Sequence, residues 1–338
     1  MASSLPQRKL GRTGLSVSIM GFGGAPLGES HARYPEDQAI GAITTALAAG
    51  ITMFDTAPLY GHGMSEHRYG TALRQVPRDS FVLSTKVGRW MNPRIAEGKP
   101  GSVGGFKHKA VFDYSYDGVM KSLEQSLLRL GMNAPDILLI HDVDVWTHGP
   151  DMFEQRFKEA MDGAYKALAK LREEKVVKGI GIGVNEADKC ERFARAGDFD
   201  VMMLAGRYTI LEQGALDVFL PTALEKNIAI LSAGVFNSGI LATGPVAGAL
   251  YNYKPAPPEI VARVQKIQAV CKQHNVELPH AAMQFPLAHP AVASVVLGAV
   301  HPDEVKRNVA SITKPIRSAF WSEMKAQGLI PSHAPTPA

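Results

Sequence analysis

The sequence predicts an α/β protein folded as a (β/α)8 TIM barrel with an N-terminal β-hairpin. Eight short apolar runs alternate with helix-like segments along the chain. The runs are apolar throughout instead of alternating with polar residues, the mark of strands buried on both faces of a parallel sheet. The length of 338 residues suits eight such units in one barrel domain spanning 1–338.

Taken in order, Arg8 to Val17 alternates around Gly11 and Gly14, as a short hairpin does. The strand candidates are 19–23, 53–55, 81–86, 137–141, 179–184, 201–205, 228–232 and 294–297. Helix candidates lie between them at 35–49, 65–73, 116–130, 153–174, 186–196, 215–226, 258–274 with 279–288, and 302–311. In 153–174 the apolar residues Phe153, Phe157, Met161, Ala164, Leu168 and Leu171 fall three and four apart, a helical period. A doubly wound sheet is the competing architecture. Its Gly-rich fingerprint fails twice here, with Pro26 ending Gly21-x-Gly23-x-x and Val184 ending Gly179-x-Gly181-x-x. Two long insertions, 88–114 with Trp90, Pro100 and Gly101, and 143–151 with Trp146 and His148, follow the third and fourth strands. Both leave strand C-termini, the face where barrel enzymes place their sites. The Pro-rich tail is expected to fray from about residue 332.

Composition narrows the classes of function. Apolar residues make up 46% and charged residues 20%, enough for a large core. The net charge of +4 is spread among 36 basic and 32 acidic residues without a basic run, so neither nucleic acid nor a membrane surface is an expected partner. Met1 to Leu10 lacks the apolar core of a signal peptide, and no apolar stretch nears the roughly 20 residues that span a bilayer. A cytoplasmic location is expected, with Cys190 and Cys271 as ordinary thiols. The eleven histidines show no metal-ligand spacing, and His62 and His67 read as loop residues, so no metal is expected.

The chemistry converges at three neighbouring strand ends. The second strand ends in Asp55, with Tyr60 on the loop it releases; the third ends in Lys86; the fourth ends in His141. A lysine beside Asp55 makes an ion pair where either charge alone is disfavoured. A phenol near that ammonium is expected to have a lowered pKa and to act as a general acid or base.

The runs Phe54-Asp55-Thr56-Ala57-x-x-Tyr60-Gly61, Ser84-Thr85-Lys86 and Leu138-Leu139-Ile140-His141, with Lys9 to Gly14 and Gly298 to Asn308, resemble the aldo-keto reductase superfamily over nearly the whole chain. That resemblance implies a nicotinamide cofactor bound without a Rossmann unit. It also implies a catalytic tetrad: Tyr60 moves the proton, Lys86 tunes it, Asp55 holds Lys86, and His141 positions substrate. By the same resemblance Gly24, Asp55, Asn185, Ser232, Gly234, Phe236, Asn237, Ser238, Gly239, Gly298, Glu304, Arg307 and Asn308 contact the cofactor. Ala205 stands where the family usually has a glutamine. Gly298 and Glu304 stand where NADP-preferring members place Lys and Arg. A carboxylate repels a 2′-phosphate and accepts from a ribose hydroxyl, so NAD is expected over NADP, with Arg307 as the opposing feature.

Segments 112–118, 182–186 and 205–209 resemble the D-threo-aldose 1-dehydrogenase group, which includes L-fucose and L-galactose dehydrogenases. The implied reaction is oxidation of a pyranose at C1 to a lactone. Trp90, Trp146 and His148 are the candidate sugar contacts. A pyridoxal 4-dehydrogenase, an NADPH-dependent carbonyl reductase and a cofactor-binding redox-sensing subunit are the alternatives.

Overall fold

A computed structural model describes residues 5–98 and 102–337; the first four residues, Pro100 and Gly101 lie outside the described residues. Eight parallel strands close into a barrel: β1 (Met20–Gly23), β2 (Met53–Asp55), β3 (Val82–Val87), β4 (Ile137–His141), β5 (Gly179–Val184), β6 (Val201–Ala205), β7 (Ala229–Ala233) and β8 (Val292–Gly298). They pair in chain order, with β8 closing on β1 and β5 on β6. Helices cover the outside, so the strands have no wet face, which accounts for their unbroken apolarity.

The barrel interior holds Met53, Val82, Ile137, Leu139, Val201, Met203, Leu231 and Val296. The hairpin of Gln7–Lys9 and Ser16–Ser18 adds Leu10 and Val17, both fully buried, to that same cluster. It therefore caps the end of the barrel opposite the strand C-termini.

The glycines of β5 have a packing explanation that disposes of the fingerprint. A Cβ at Gly179 would lie 2.9 Å from Ile137 Cδ1, and one at Gly181 would lie 3.0 Å from Leu139 Cδ2. At Gly183 it would lie 3.5 Å from Lys86 Cε, an ordinary contact with the lysine stem. Close packing requires Gly179 and Gly181, the latter also because a Cβ would strike the Val201 carbonyl at 1.6 Å.

Several elements differ from expectation. The segment expected as one helix over 153–174 runs as Pro150–Glu159, a π turn at Ala160–Ala164, and Tyr165–Glu173. Within that turn Gly163 meets backbone, since a Cβ there would come 2.4 Å from Tyr114 O. The 215–226 helix breaks at Phe219, between Ala215–Val218 and Leu220–Glu225, because Pro221 cannot donate to the turn before it. The first insertion is an antiparallel ribbon of Arg89–Ala96 and His108–Phe112. A further helix, Ser318–Ala326, buries Trp321 beside Phe285 of the helix Leu278–Leu287. The tail expected to fray packs instead: Ala334 is buried, and His333 Nε2 lies 2.9 Å from Asp217 Oδ1. Among the described residues no helix is long and apolar enough to cross a membrane.

Candidate active site

Strand register delivers the chemistry to one level. Asp55 on β2 is paired with Ser84 on β3, Lys86 on β3 with Leu139 on β4, and His141 on β4 with Gly183 on β5. Their C-terminal ends open into a cavity of about 700 Å³ whose wall includes Asp55, Tyr60, Lys86 and His141.

Lys86 Nζ donates to Asp55 Oδ2 at 2.7 Å and to the Thr56 carbonyl at 2.9 Å, with both side chains under 5% exposed. Burial opposes the ammonium, but Asp55 and Tyr60 outweigh it, so the Lys86 pKa stands above its ordinary value. Burial likewise raises Asp55, against the pull of Lys86. The other carboxylate oxygen, Asp55 Oδ1, is buried without a hydrogen-bond partner.

Tyr60 begins a tight turn, Tyr60–Gly63, in which Gly61 and His62 have positive φ. Neighbouring backbone clamps this turn. Phe106 N donates to the Gly61 carbonyl at 2.9 Å, and a Cβ at Gly28 would come 2.3 Å from Gly61 N. The Tyr60 ring lies 4.8 Å from Lys86 Nζ and meets the His141 ring edge-on at 5.8 Å. The expected lowering of its pKa is corrected here. Burial pushes the phenol up to about 12, with Lys86 pulling down and Asp55 pushing up. One ammonium already neutralised by Asp55 does not offset the cost of burying a phenolate.

His141 is buried, and its carbonyl accepts from Tyr114 at 2.9 Å. Its Nε2 lies 3.5 Å from Asp142 Oδ1. Asp142 also lines the cavity and pairs with Arg89 Nη2 at 2.9 Å.

Of the residues expected at the cofactor, Asn185, Gly234 and Gly298 line the same cavity as the tetrad. Gly24 instead packs behind it, where a Cβ would strike Ser65 Oγ at 2.4 Å. Ser232 is buried and donates to the Tyr208 carbonyl at 3.4 Å. Phe236, Asn237, Ser238 and Gly239 form the turn after β7. There Asn237 accepts from Thr209 at 2.7 Å and Ser238 Oγ accepts from Tyr253 N at 3.0 Å. Glu304 has a role that the sequence reading missed. Its Oε2 accepts from the amides of Val300 and His301 at 2.8 and 3.2 Å, a capping box for the helix Pro302–Ile312. Arg307 and Asn308 lie further along that helix and do not line the cavity, and Arg307 is exposed.

The substrate candidates separate. Trp146 lines the cavity, half exposed, with the Tyr253 ring 6.5 Å away. Trp90 does not line it and packs under Lys121, 3.1 Å from its ring centre. His148 also stands outside the lining, bonded to Tyr114 at 3.0 Å and stacked near Phe112. Reasoning from sequence passed over Arg89, Asp142, Asn252 and Tyr253. Asp142 was signalled by its place directly after His141. Asn252 and Tyr253 carried no signal, since they join two-residue strands through a turn with positive φ. Among the described residues no cluster of three or more His, Cys, Asp or Glu is arranged to hold a metal.

A parallel (β/α)8 barrel with a buried Asp–Lys pair, a tyrosine and a histidine at its strand C-termini defines an oxidoreductase of the barrel type. The chain belongs to the Aldo/keto reductase family, whose model matches residues 19–328. It is 40% identical to a pyridoxal 4-dehydrogenase of Microbacterium luteolum over 336 residues, 96% of this chain and 98% of that protein. It is 38% identical to a D-threo-aldose 1-dehydrogenase of a Pseudomonas species, over 94% of this chain and 96% of that one. An L-galactose dehydrogenase of Arabidopsis thaliana is 32% identical over 91% of this chain and 88% of its own length. Among solved structures, an aldo-keto reductase from Bacillus halodurans in its holo form superposes with a TM-score of 0.74 at 25% identity, covering 96% of each chain.

Proposed function

We propose that the protein is an NAD-dependent dehydrogenase that oxidises the C1 carbon of an aldopyranose of the L-fucose, L-galactose or D-arabinose type to the lactone. The observation that carries this reading is Tyr60, set against Lys86 and His141 in one cavity. The D-threo-aldose and L-galactose dehydrogenases among its relatives support the substrate class. The 40% identical pyridoxal 4-dehydrogenase favours pyridoxal as a second reading. The two substrates share a chemistry, because each closes to a ring in which one carbon bears both a hydroxyl and a ring oxygen. Removing hydrogen from that carbon gives a lactone in both cases.

The residues present fit a nicotinamide cofactor. Asp55 Oδ1 is a buried acceptor in the cavity wall whose one neighbouring donor is the Ser84 hydroxyl, which leaves it lone-pair capacity for a ribose hydroxyl. The Asn185 side chain suits the carboxamide, and Gly234 and Gly298 offer bare backbone along the wall. When bound, such a cofactor supplies the hydride acceptor. Tyr60 takes the proton of the anomeric hydroxyl, the Lys86 ammonium stabilises the charge that develops on the phenol, and His141 orients the substrate oxygen. Asp55 keeps Lys86 charged and fixed.

NAD is favoured over NADP by the carboxylate of Glu304, which acts on Tyr34 in the cavity wall; Glu29 acts there too but is paired with Arg68 at 2.8 Å. A negative group near that rim repels a 2′-phosphate.

NAD reduction with L-fucose, L-galactose, D-arabinose and pyridoxal tests the reading, wild type against Tyr60→Phe. Wild-type turnover of at least one of them is expected, with a loss on the order of 10²–10⁴-fold in kcat in the variant. Full activity in Tyr60→Phe removes that residue from the proton transfer.

A further inference from the structure

We infer that Asp142, braced by Arg89, is the acceptor that recognises a substrate hydroxyl adjacent to the reacting carbon; this rests on the lactone-forming reading above. Successive side chains on a strand point to opposite faces, so only one of two neighbours should look into the barrel mouth. Yet His141 and Asp142 both line the cavity. Asp142 achieves this by leaving the strand with φ +53, a left-handed conformation that Asp tolerates better than most residues. Its amide meanwhile stays bonded to the Gly183 carbonyl at 2.9 Å.

The carboxylate is held from behind. Arg89 Nη2 lies 2.9 Å from Asp142 Oδ2, and Arg89 is 5% exposed beneath the Phe112 ring at 4.3 Å. Arg89 Nη1 is buried with no partner, so the guanidinium is not saturated by the pair. The Asp142 side chain keeps 15% exposure, and its Oδ1 faces the His141 side at 3.5 Å from Nε2. A carboxylate that lines the cavity with one oxygen braced by Arg89 and the other 3.5 Å from Nε2 of His141, the histidine that orients the reacting oxygen, suits a hydroxyl donor one carbon away. Charge-assisted bonds of this kind are short and directional, and a site built for one discriminates strongly against the deoxy analogue. The first insertion thus reaches the site through Arg89, the neighbour of Trp90, whose side chain turns the other way to pack under Lys121.

Asp142 is a specificity residue on this account and Arg89 a positioning residue acting through it. The test measures kcat/KM for the best aldopyranose of the panel, its 2-deoxy analogue, and 2-hydroxytetrahydropyran, a lactol without ring hydroxyls. Wild type should prefer the full sugar over its 2-deoxy analogue by roughly 10- to 100-fold. Asp142→Asn should erase most of that ratio, losing more on the full sugar than on the unsubstituted lactol. Arg89→Leu should shift the ratio the same way, Arg89→Lys should partly restore it, and the Arg89→Leu/Asp142→Asn double variant should lose no more than either single. Melting temperatures identify variants that fail to fold, for which Asp142→Asn, the smallest change, remains decisive. Equal losses on all three substrates, or an unchanged ratio, overturn the recognition role while lactone formation stands. Absence of wild-type turnover on every lactol overturns both, and is distinguished by the wild type alone.

Discussion

Two buried ion pairs flank the tyrosine and histidine, and they are built differently. Lys86–Asp55 joins adjacent strands deep in the mouth, with side chains 1% and 3% exposed. Arg89–Asp142 joins the first insertion to the end of β4, at 6% and 15%. In the inner pair the ammonium is shared between Asp55, the Thr56 carbonyl and the Tyr60 ring face. In the outer pair one carboxylate oxygen is braced by Arg89 and the other lies 3.5 Å from His141 Nε2. Depth sorts the roles. A charge shut away from water acts on a proton, where a low dielectric makes it strong. A charge nearer solvent is left to act on the hydroxyl of a substrate that enters.

The largest break in this comparison is Lys86→Met. It removes the cation that favours charge on Tyr60 and strands Asp55 without compensation. A fall in kcat on the order of 10³-fold is expected, together with a stability loss of about 3–5 kcal/mol by urea unfolding. Arg89→Leu should destabilise less, about 1–2 kcal/mol, because Asp142 still reaches solvent. If unfolding shows the two variants equally destabilised, depth does not separate the pairs.

The next effect is on pH. In the proposed reaction Tyr60 accepts a proton in oxidation and donates one in reduction. With its pKa raised to about 12, chiefly by burial, the deprotonated phenol is scarce near neutrality and grows with pH. Oxidative kcat/KM should therefore climb up to about tenfold per pH unit between about pH 7 and 10, while aldehyde reduction stays flat over that range. The stability sign agrees. A phenol whose folded pKa exceeds its unfolded value of about 10 contributes stability that is present below pH 10 and lost as pH rises toward 12. A flat oxidative profile would place the proton acceptor elsewhere. In Lys86→Met the climb should begin at higher pH, since Lys86 exerts the main downward pull.

The inner region was the legible one. Asp55, Lys86 and His141 end apolar runs, so period and polarity together put them at one mouth, and register then aligns them. The outer region was not. Trp90 drew attention as an aromatic on an insertion, but the ribbon's alternation sends it outward and Arg89 inward, and no local pattern sets that phase. The direction of the Tyr60 pKa also escaped the sequence, because a neighbouring cation can be named from residues whereas the degree of burial cannot. The strap that brings Asn252 and Tyr253 to the cavity rests on two-residue strands and left-handed backbone, below any periodic signal.

Glu304 gives the smallest test and extends the comparison to a third carboxylate. Among the described residues no lysine or arginine forms an ion pair with it; the amides of Val300 and His301 fix its Oε2 instead. The helix N-terminus offsets part of its charge, and the carboxylate still acts on Tyr34 in the cavity wall. Wild type should show the higher kcat/KM with NAD. Glu304→Gln keeps an oxygen for the two amides and removes the charge, so it should cost about 0.5–1 kcal/mol of stability while raising NADP use several-fold relative to NAD. Glu304→Ala loses the cap as well and should unfold more easily than Glu304→Gln, with a similar change in cofactor ratio. If the ratio stays fixed in both while stability falls, Glu304 serves the helix alone, and any preference for NAD lies with Gly298 and the bare wall beside it.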